Sequence, residues 1–334
     1  MSSLNSLKRK ILLSLVFGLV VVLGLAIYAD LPKIGEVLAS FRWKYLPLIL
    51  GLTLFNYLLR FVKWHYYLNL IGVRRLSVLD SLLIFFSGLS MVMTPGKVGE
   101  WLKSYLLKEA VGTSIAASAP IIVAERLTDG LAMLLLASAG VLLYGYSWEI
   151  LFLILLAALA LIVLIQYRPL SLALLSVGEG MPVISKRVHY LHAFYESSYQ
   201  LLRVNNLLLA VGIGFVSWTG ECVAFYFVLV GLGLEPGSVL VVQAAFVLAV
   251  STLVGSVSML PGGLAVAEGS ITTLLLVLRV VTAPAIAAAA TLLIRFFTLW
   301  FGVSVGIVAL FAYTRRVSLD SGRNELRPYK YDGA

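Results

Sequence analysis

Long apolar stretches separated by short polar segments dominate the chain. Six of them reach the roughly 20 residues that a helix needs to cross the hydrocarbon core of a membrane: residues 11–29, 45–68, 116–143, 148–166, 206–231 and 284–312. Lys8, Arg9 and Lys10 precede the first stretch, but its apolar run is too long for a secretory signal and no small-residue cleavage site follows it. The pattern predicts an all-α polytopic membrane protein with about six full spans.

Two further apolar stretches, residues 79–107 and 239–278, are interrupted near their middles. The interruptions are Pro95 and Gly96 in the first stretch, and Pro261, Gly262 and Gly263 in the second. Proline removes a backbone donor and glycine relaxes the chain, so helices should break there. We therefore predict two broken re-entrant hairpins, with two full spans as the alternative, chiefly for the longer second stretch. Irregular backbone at membrane depth is tolerated where it is buried or lines a wet cavity, so the breaks indicate a site.

The distribution of Lys and Arg predicts the orientation in the membrane. The basic segments are assigned to the cytoplasmic side: the N-terminus, 69–78, 104–115, 167–205 and the C-terminal tail. The opposite side receives 144–147 and 232–238, which carry neither Lys nor Arg, whereas the basic segment 30–44 fits this scheme less well. Both termini are therefore predicted to be cytoplasmic.

The two broken stretches belong to two similar units. The predicted parts of the chain are an N-terminal helix and linker (1–44), a first unit of span, hairpin and span (45–143), a connecting span with a cytoplasmic segment (144–205), a second unit (206–313) and a cytoplasmic tail (314–334). Glu100 precedes Arg126 by 26 residues, and Glu268 precedes Arg295 by 27. The units start from opposite sides of the membrane, which predicts an inverted-topology repeat of the kind found in secondary transporters.

Composition excludes a soluble protein. Apolar residues make up 61% of the 334 residues and charged residues 12%, against about 25% charged in typical soluble domains. A single cysteine excludes an internal disulfide and a cysteine-rich zinc site, and we expect neither a metal nor another cofactor. The net charge of +9 lies in loops and tails beside apolar spans, which is typical of topology signals and lipid contacts, so nucleic acid is not an expected partner.

Ionisable residues within the spans are the candidate site, because each costs about 2.5–3.5 kcal/mol at the membrane centre without a partner or a purpose. The predicted substrate-binding residues are Lys97, Arg126, Arg295 and Arg60. The predicted coupling or charge-compensating residues are Glu100, Glu125, Asp129, Glu221 and Glu268. Arg126 and Asp129 are also i,i+3 neighbours that can pair along one helix. The alternative interpretation is a set of permanent ion pairs that join helices.

The chemistry expected of this cluster is anion binding. A half-helix begins after each Pro-Gly break, and its free N–H groups favour an anion. Arg126, Arg295 and Lys97 are then able to bind a phosphate through charge-assisted hydrogen bonds. In the empty state, Glu100 and Glu268 would neutralise the arginines or carry a coupling proton.

Other motifs add little. Gly302 and Gly306 form a GxxxG pattern that favours close packing inside the bundle, with a homodimer as the alternative. The stretch 186–203 is predicted to form an amphipathic helix on the cytoplasmic face or an ordinary linker helix. Hydrolase and phosphate-loop motifs are absent from the sequence, so we expect no catalytic residues and no enzymatic activity.

Three motifs together resemble a known family. They are Thr94-Pro-Gly-Lys-Val-Gly-Glu100, Glu125-Arg-Leu-Thr-Asp129, and Leu260-Pro-Gly-Gly-Leu264 with Glu268. They resemble the lysylphosphatidylglycerol synthase transmembrane-region family, a flippase-like membrane domain, over residues of about 10 to 313. The resemblance implies a stand-alone flippase in a prokaryotic cytoplasmic membrane, without the aminoacyl-transferase domain that many members carry. The substrate does not follow from the fold.

The leading expectation is a lipid transporter that moves an anionic or zwitterionic phospholipid, or a polyprenyl-linked headgroup, between leaflets through a charged cavity at the midplane. A proton- or ion-coupled carrier of a small soluble anion would use the same charges and is the first alternative. A non-transporting accessory subunit of a lipid-modifying enzyme is the second.

Overall fold

The computed structural model describes residues 31–92, 94, 100–145, 149–179, 188–258 and 260–325. The predicted first span, 11–29, lies outside the described residues, as do Pro95, Gly96 and Lys97. In the described ranges the chain is all-helical.

Thirteen α-helices make up the described part of the chain. In chain order they are α1 (Leu31–Ala39), α2 (Leu46–Leu70), α3 (Val78–Leu89), α4 (Leu102–Val111), α5 (Ile115–Tyr144), α6 (Glu149–Gln166), α7 (Arg168–Glu179), α8 (Val188–Leu201), α9 (Val204–Gly231), α10 (Ser238–Val257), α11 (Val266–Val277), α12 (Pro284–Arg295) and α13 (Phe301–Glu325). A 3₁₀ turn precedes α2, a second lies between α10 and α11, and a π-helical turn joins α12 to α13.

Serine residues fix the starts of two of these helices. The Ser77 hydroxyl accepts a hydrogen bond from the backbone N–H of Asp80 at 3.0 Å, and Ser114 accepts one from Ala117 at 3.2 Å. Each satisfies a donor that the first turn of a helix otherwise leaves free. These caps place the starts of α3 and α5 on either side of the first broken stretch.

Within the described ranges, four helices are long and apolar enough to cross a membrane by length and composition. They are Trp43–Leu70, Val204–Gly231, Ser238–Val257 and Pro284–Leu319. Three coincide with the predicted spans 45–68, 206–231 and 284–312. The predicted spans 116–143 and 148–166 correspond to α5, which has 30 residues and carries three charged side chains, and to α6, which has 18.

The second broken stretch differs from the first in the length of its leading helix. α10 has 20 residues and is one of the four helices long enough to cross, whereas α11 has 12. In the first stretch, α3 has 12 residues and α4 has 10. The short arms expected of a re-entrant hairpin are therefore present in the first stretch and in the second half of the second stretch.

The backbone leaves helical geometry at the second predicted break. Gly262 and Gly263 have φ angles of 58° and 68°, in the left-handed region that glycine adopts without steric penalty. A side chain on Gly263 would approach backbone atoms of Gly255 to 3.3 Å. Glycine thus lets the broken segment lie directly against the end of α10.

Helices of the first predicted unit pack against helices of the second. α2 packs against α9, which are the first helices of the two units. α3 of the first unit packs against α13 of the second, and α10 of the second unit packs against α5 of the first. Each unit therefore places the first helix of its broken stretch on the last helix of the other, an arrangement that supports the inverted repeat, which stays a prediction.

Glycine permits both of these crossings. A side chain on Gly306 in α13 would collide with the backbone of Leu89 and Ser90 at the end of α3. A side chain on Gly140 in α5 would collide with Phe246 of α10. The Gly302–Gly306 pattern thus serves packing inside the bundle.

Candidate functional site

The broken stretches and the long helices surround a partly open cavity of about 160 Å³. Of the residues that the structure describes, five charged ones line it: Arg60, Glu100, Arg126, Glu221 and Arg295. They come from both predicted units, and Gly262 and Gly263 of the second break line the same cavity. Residues that lie up to 235 positions apart in the chain therefore meet at one site.

The first arginine pair joins α5 to the segment that precedes α4. Arg126 Nε donates to Glu100 Oε2 at 3.0 Å. The arginine side chain is 37% exposed, whereas that of Glu100 is 11% exposed. Arg126 is thus accessible from the cavity while its partner holds it in place.

The second arginine pair is more deeply buried and also fastens the break. Arg295 Nε donates to Glu268 Oε1 at 2.6 Å, and Arg295 Nη2 donates to the backbone oxygen of Gly262 at 2.7 Å. A carbonyl in a non-helical segment lacks the partner that a helix would give it, and the guanidinium supplies one. Arg295 therefore couples the charged lining to the conformation of the broken segment.

Arg60 is bound less tightly than the other two arginines. Its Nε lies 3.8 Å from Asp129 Oδ2, beyond hydrogen-bond distance, and its Cζ lies 5.5 Å from the ring centre of Trp218. The other carboxylate oxygen of Asp129 accepts a hydrogen bond from Lys63 Nζ at 2.5 Å. The carboxylate nearest to Arg60 is therefore already neutralised by a lysine.

Two buried lysines that sequence reasoning missed pair with predicted site residues, although they do not line the cavity. Lys63 is completely buried on α2 and pairs with Asp129. Lys103 on α4 pairs with Glu125 at 2.5 Å and lies over the rings of Trp64 and Phe85. Their position inside stretches predicted to be membrane-embedded was the available signal.

Arg126 and Asp129, which the sequence allows to pair along α5, have closer partners elsewhere in the structure. Asp129 pairs with Lys63 and Arg60, from the neighbouring helix α2, and Arg126 pairs with Glu100. Neighbouring helices thus provide closer partners than the i,i+3 position does. Each of the two carboxylates on α5, Glu125 and Asp129, has its own lysine.

Glu221 is the carboxylate of the cavity that lacks a direct partner. It lies on α9 and is 8% exposed. Within the described part of the chain, no hydrogen bond or ion pair reaches it. One turn earlier on the same helix, the buried Nε1 of Trp218 also has no hydrogen-bond partner, and Trp218 lines the cavity.

Among the described residues of the site the charges balance, with one of each sign left over. Four cations pair with four carboxylates within 3.0 Å: Lys63 with Asp129, Lys103 with Glu125, Arg126 with Glu100, and Arg295 with Glu268. Arg60 and Glu221 remain, and both line the cavity. The site therefore offers one weakly engaged cation and one unpaired acid to a ligand.

Tyr57 connects the cavity to an irregular helical turn. Its hydroxyl donates to the backbone oxygen of Thr298 at 2.5 Å. Thr298 lies in the π-helical turn Phe296–Trp300, which follows Arg295 directly. π-Helical turns are frequent at functional sites because they leave backbone groups free for other partners.

Some of the site predictions are not tested by the structure. Lys97, Pro95 and Gly96 lie outside the described residues. In the ranges that the structure describes, no group of three or more His, Cys, Asp or Glu side chains is arranged to hold a metal ion. The binding and coupling roles of the charged residues stay predictions.

Comparison with known proteins relates the chain to membrane proteins. A family model described as the lysylphosphatidylglycerol synthase TM region matches residues 12–306. A UPF0104 membrane protein of Methanothermobacter thermautotrophicus is 31% identical over 121 residues, which are 36% of this chain and 34% of that protein. A UPF0104 membrane protein of Methanocaldococcus jannaschii is 26% identical over 187 residues, 53% of this chain and 74% of that protein. The chain thus spans about a third of the first relative and three quarters of the second.

Proposed function

The chain belongs to the lysylphosphatidylglycerol synthase transmembrane-region family, and we propose that it is a multi-pass transporter that moves a lipid headgroup between the leaflets of a prokaryotic cytoplasmic membrane. The substrate is an anionic or zwitterionic phospholipid, or a lipid-linked intermediate. The protein acts through binding and conformational change rather than through catalysis.

The observation that carries the proposal is the convergence of three arginines from three helices on one cavity that both broken stretches approach. Arg60, Arg126 and Arg295 all line it. The guanidinium group matches the geometry of phosphate oxygens and binds them through paired hydrogen bonds. Phosphate is the group that most phospholipid and lipid-linked headgroups share, so this lining suits them.

Arg60 provides the first contact for the incoming phosphate. Its guanidinium has no carboxylate within hydrogen-bond distance among the described residues. It lies over the ring of Trp218, whose Nε1–H has no hydrogen-bond partner. A phosphate at this position would satisfy both donors. Only the 3.8 Å contact between Arg60 and Asp129 has to loosen for this step, and Lys63 continues to neutralise Asp129.

Arg126 and Arg295 act after Arg60, and they belong to different predicted units. In the substrate-free arrangement each is held by a glutamate, Glu100 or Glu268. A phosphate that replaces one glutamate loosens the link to the segment that carries that glutamate. When phosphate replaces Glu268 at Arg295, the hydrogen bond from Arg295 to Gly262 is also affected. Headgroup binding is thereby linked to the conformation of the break.

The size of the cavity favours a headgroup over a whole lipid. A space of about 160 Å³ does not hold two acyl chains, which would stay in the surrounding membrane. The helix faces around the bundle provide apolar surface for such chains; Leu208, Phe215 and Val216 on α9 are examples of exposed residues there. Rocking of the two predicted units about this site would expose the headgroup to each side in turn.

Leaflet exchange of labelled lipids tests the proposal. Vesicles of phosphatidylglycerol and phosphatidylethanolamine carry fluorescent NBD-labelled copies of either lipid, and dithionite added outside bleaches only the outer leaflet. We expect bleaching beyond the outer-leaflet fraction in vesicles with the protein, and a loss of that excess with Arg60→Gln. Arg168→Gln, which breaks a surface pair with Glu196 that is 50% and 44% exposed, is the matched control.

Two results would contradict the proposal. One is bleaching limited to the outer leaflet for both lipids and for a polyprenyl phosphate. The other is uptake of radiolabelled inorganic phosphate into the vesicles without any lipid exchange, which is the behaviour of a carrier for soluble anions. An accessory subunit of a lipid-modifying enzyme would give the first of these results, with neither lipid exchange nor phosphate uptake.

A further inference from the structure

We infer that Glu221 is a proton-binding site coupled to anion binding at Arg60, so that the protein takes up a proton with each headgroup that it binds. This inference rests on the proposed function and specifies what drives transport through the same cavity. It concerns the two charged side chains that remain when the four close ion pairs of the site are set aside.

Burial and lack of a partner distinguish Glu221 from the other carboxylates of the site. Glu100, Glu125, Asp129 and Glu268 each accept a hydrogen bond from a cation at 3.0 Å or less. Glu221 is 8% exposed, lines the cavity and accepts no such bond within the described residues. A buried carboxylate without a hydrogen-bonded cation is costly in its charged form, and binding of a proton would remove that cost.

The groups around Glu221 come from three helices packed against α9. α2 contributes Tyr57 and Arg60, α5 contributes Asp129, and α12 contributes Arg295. α10 also packs against α9, and its sequence, Ser238–Val257, contains no titratable residue. The other two arginines of the cavity, Arg295 and Arg126, are already held by Glu268 and Glu100, and Asp129 is held by Lys63. The charge that compensates Glu221 is therefore chiefly that of Arg60.

Binding of an anion to Arg60 removes that compensation. The phosphate takes over the guanidinium and places a second negative charge in the same small cavity as Glu221. Two like charges that share a poorly solvated space favour protonation of one of them. One proton from solution then converts the Glu221 carboxylate to the carboxylic acid, whose O–H is able to donate to the anion.

The coupling works equally in both directions. If the anion favours the proton by a given factor, the proton favours the anion by the same factor, because both describe one thermodynamic cycle. Movement of the monoanionic headgroup with one proton transfers no net charge across the membrane. A pH gradient would then drive the headgroup toward the more alkaline side, where Glu221 loses its proton and the anion is released.

Proton uptake on ligand binding tests the inference directly. The full chain in phosphatidylcholine nanodiscs is mixed with glycerophosphoglycerol, a soluble phosphodiester headgroup probe whose single negative charge does not titrate near neutral pH, in weak buffer with a pH-indicator dye. We expect uptake that rises to one proton for each probe molecule bound near neutral pH. Glu221→Gln, which mimics the protonated acid, should bind the probe at least as tightly and take up no proton, whereas Arg60→Gln should lose both binding and uptake.

The matched control is Glu235→Gln, an exposed glutamate in the turn between α9 and α10, which should behave like the unchanged protein. Binding without proton uptake in the unchanged protein, or undiminished uptake in Glu221→Gln, would overturn the inference. NBD-lipid exchange separates the two proposals: exchange that persists without proton uptake overturns the coupling alone, while absence of both exchange and probe binding overturns the transport function as well.

Discussion

Arg295 donates a hydrogen bond to the backbone oxygen of Gly262 at 2.7 Å, across 33 positions of the chain. The same guanidinium binds Glu268 through Nε at 2.6 Å, so one side chain fixes both the break between α10 and α11 and the acid at the start of α11. This geometry needs two donors in a fixed arrangement. Arginine has them, whereas lysine presents a single charged nitrogen.

Replacement of Arg295 should therefore destabilise the fold as well as impair transport. Arg295→Gln leaves Glu268 buried without its cation, and loss of one partner of a buried pair costs about 3–5 kcal/mol. Unfolding by SDS in mixed micelles measures this difference. Arg295→Leu combined with Glu268→Leu should recover most of the stability while lipid exchange stays lost. Recovered exchange in that double variant would contradict a binding role for Arg295.

The buried lysine pairs should act as structural links rather than as binding groups. Lys63→Met removes the cation that neutralises Asp129, and we expect a loss of about 3–5 kcal/mol in the free energy of unfolding. Adding Asp129→Leu should restore most of it, because no buried charge then lacks a partner. SDS unfolding measures both variants. An unchanged stability in Lys63→Met would show that Asp129 finds another cation, and Arg60 is the nearest candidate.

Apolar length predicted the fold well where charges were few. The spans 45–68, 206–231 and 284–312 agree with helices of the structure because a long apolar run with at most two Lys, Arg, Asp or Glu residues has few alternatives. The second broken stretch was less predictable. Proline and glycine mark the position of a break correctly, but they do not show how far the preceding helix extends, and α10 is long enough to cross by itself.

The pairing of charges was predictable only in part. The intervals of 26 and 27 residues anticipated the Glu100–Arg126 and Glu268–Arg295 pairs, because the same arrangement occurs in both predicted units. Local helical spacing instead suggested that Arg126 pairs with Asp129. In the structure, the partner of Asp129 is Lys63, which lies on another helix. Which side chains meet across helices depends on how the helices pack, and that information is not local in sequence.

Close helix crossing at Gly306 should tolerate no side chain. A Cβ at Gly306 would meet backbone atoms at the end of α3, and backbone cannot move aside as a flexible side chain does. We expect Gly306→Ala to lower the free energy of unfolding by about 1–3 kcal/mol, the usual cost of overpacking. Gly212→Ala is the control, because a Cβ at Gly212 would have no neighbour within 4 Å and the variant should gain about 0.5–1 kcal/mol from helix propensity. Equal effects of the two variants would mean that α13 and α3 do not cross as described.

The indole N–H of Trp218 should contribute to anion binding. Trp218→Phe keeps an aromatic ring below Arg60 and removes only the unpaired Nε1 donor. A hydrogen bond to a charged group contributes about 1.5–3 kcal/mol, so we expect the affinity for glycerophosphoglycerol to fall roughly tenfold or more. Isothermal titration calorimetry on nanodisc-embedded protein measures the change, with Trp43→Phe, an exposed tryptophan at the start of the α2 span, as the control.

The size of the loss on Trp218→Phe separates two arrangements of the bound anion. If the phosphate lies between Arg60 and Trp218, it receives both donors, and the variant weakens binding while the control does not. If it binds at Arg126 and Arg295 instead, the affinity stays within about twofold of the unchanged protein, because neither arginine contacts Trp218 through a ring interaction in the described part of the chain. Arg60→Gln must then be equally harmless, and the assignment of the first contact to α2 and α9 is wrong.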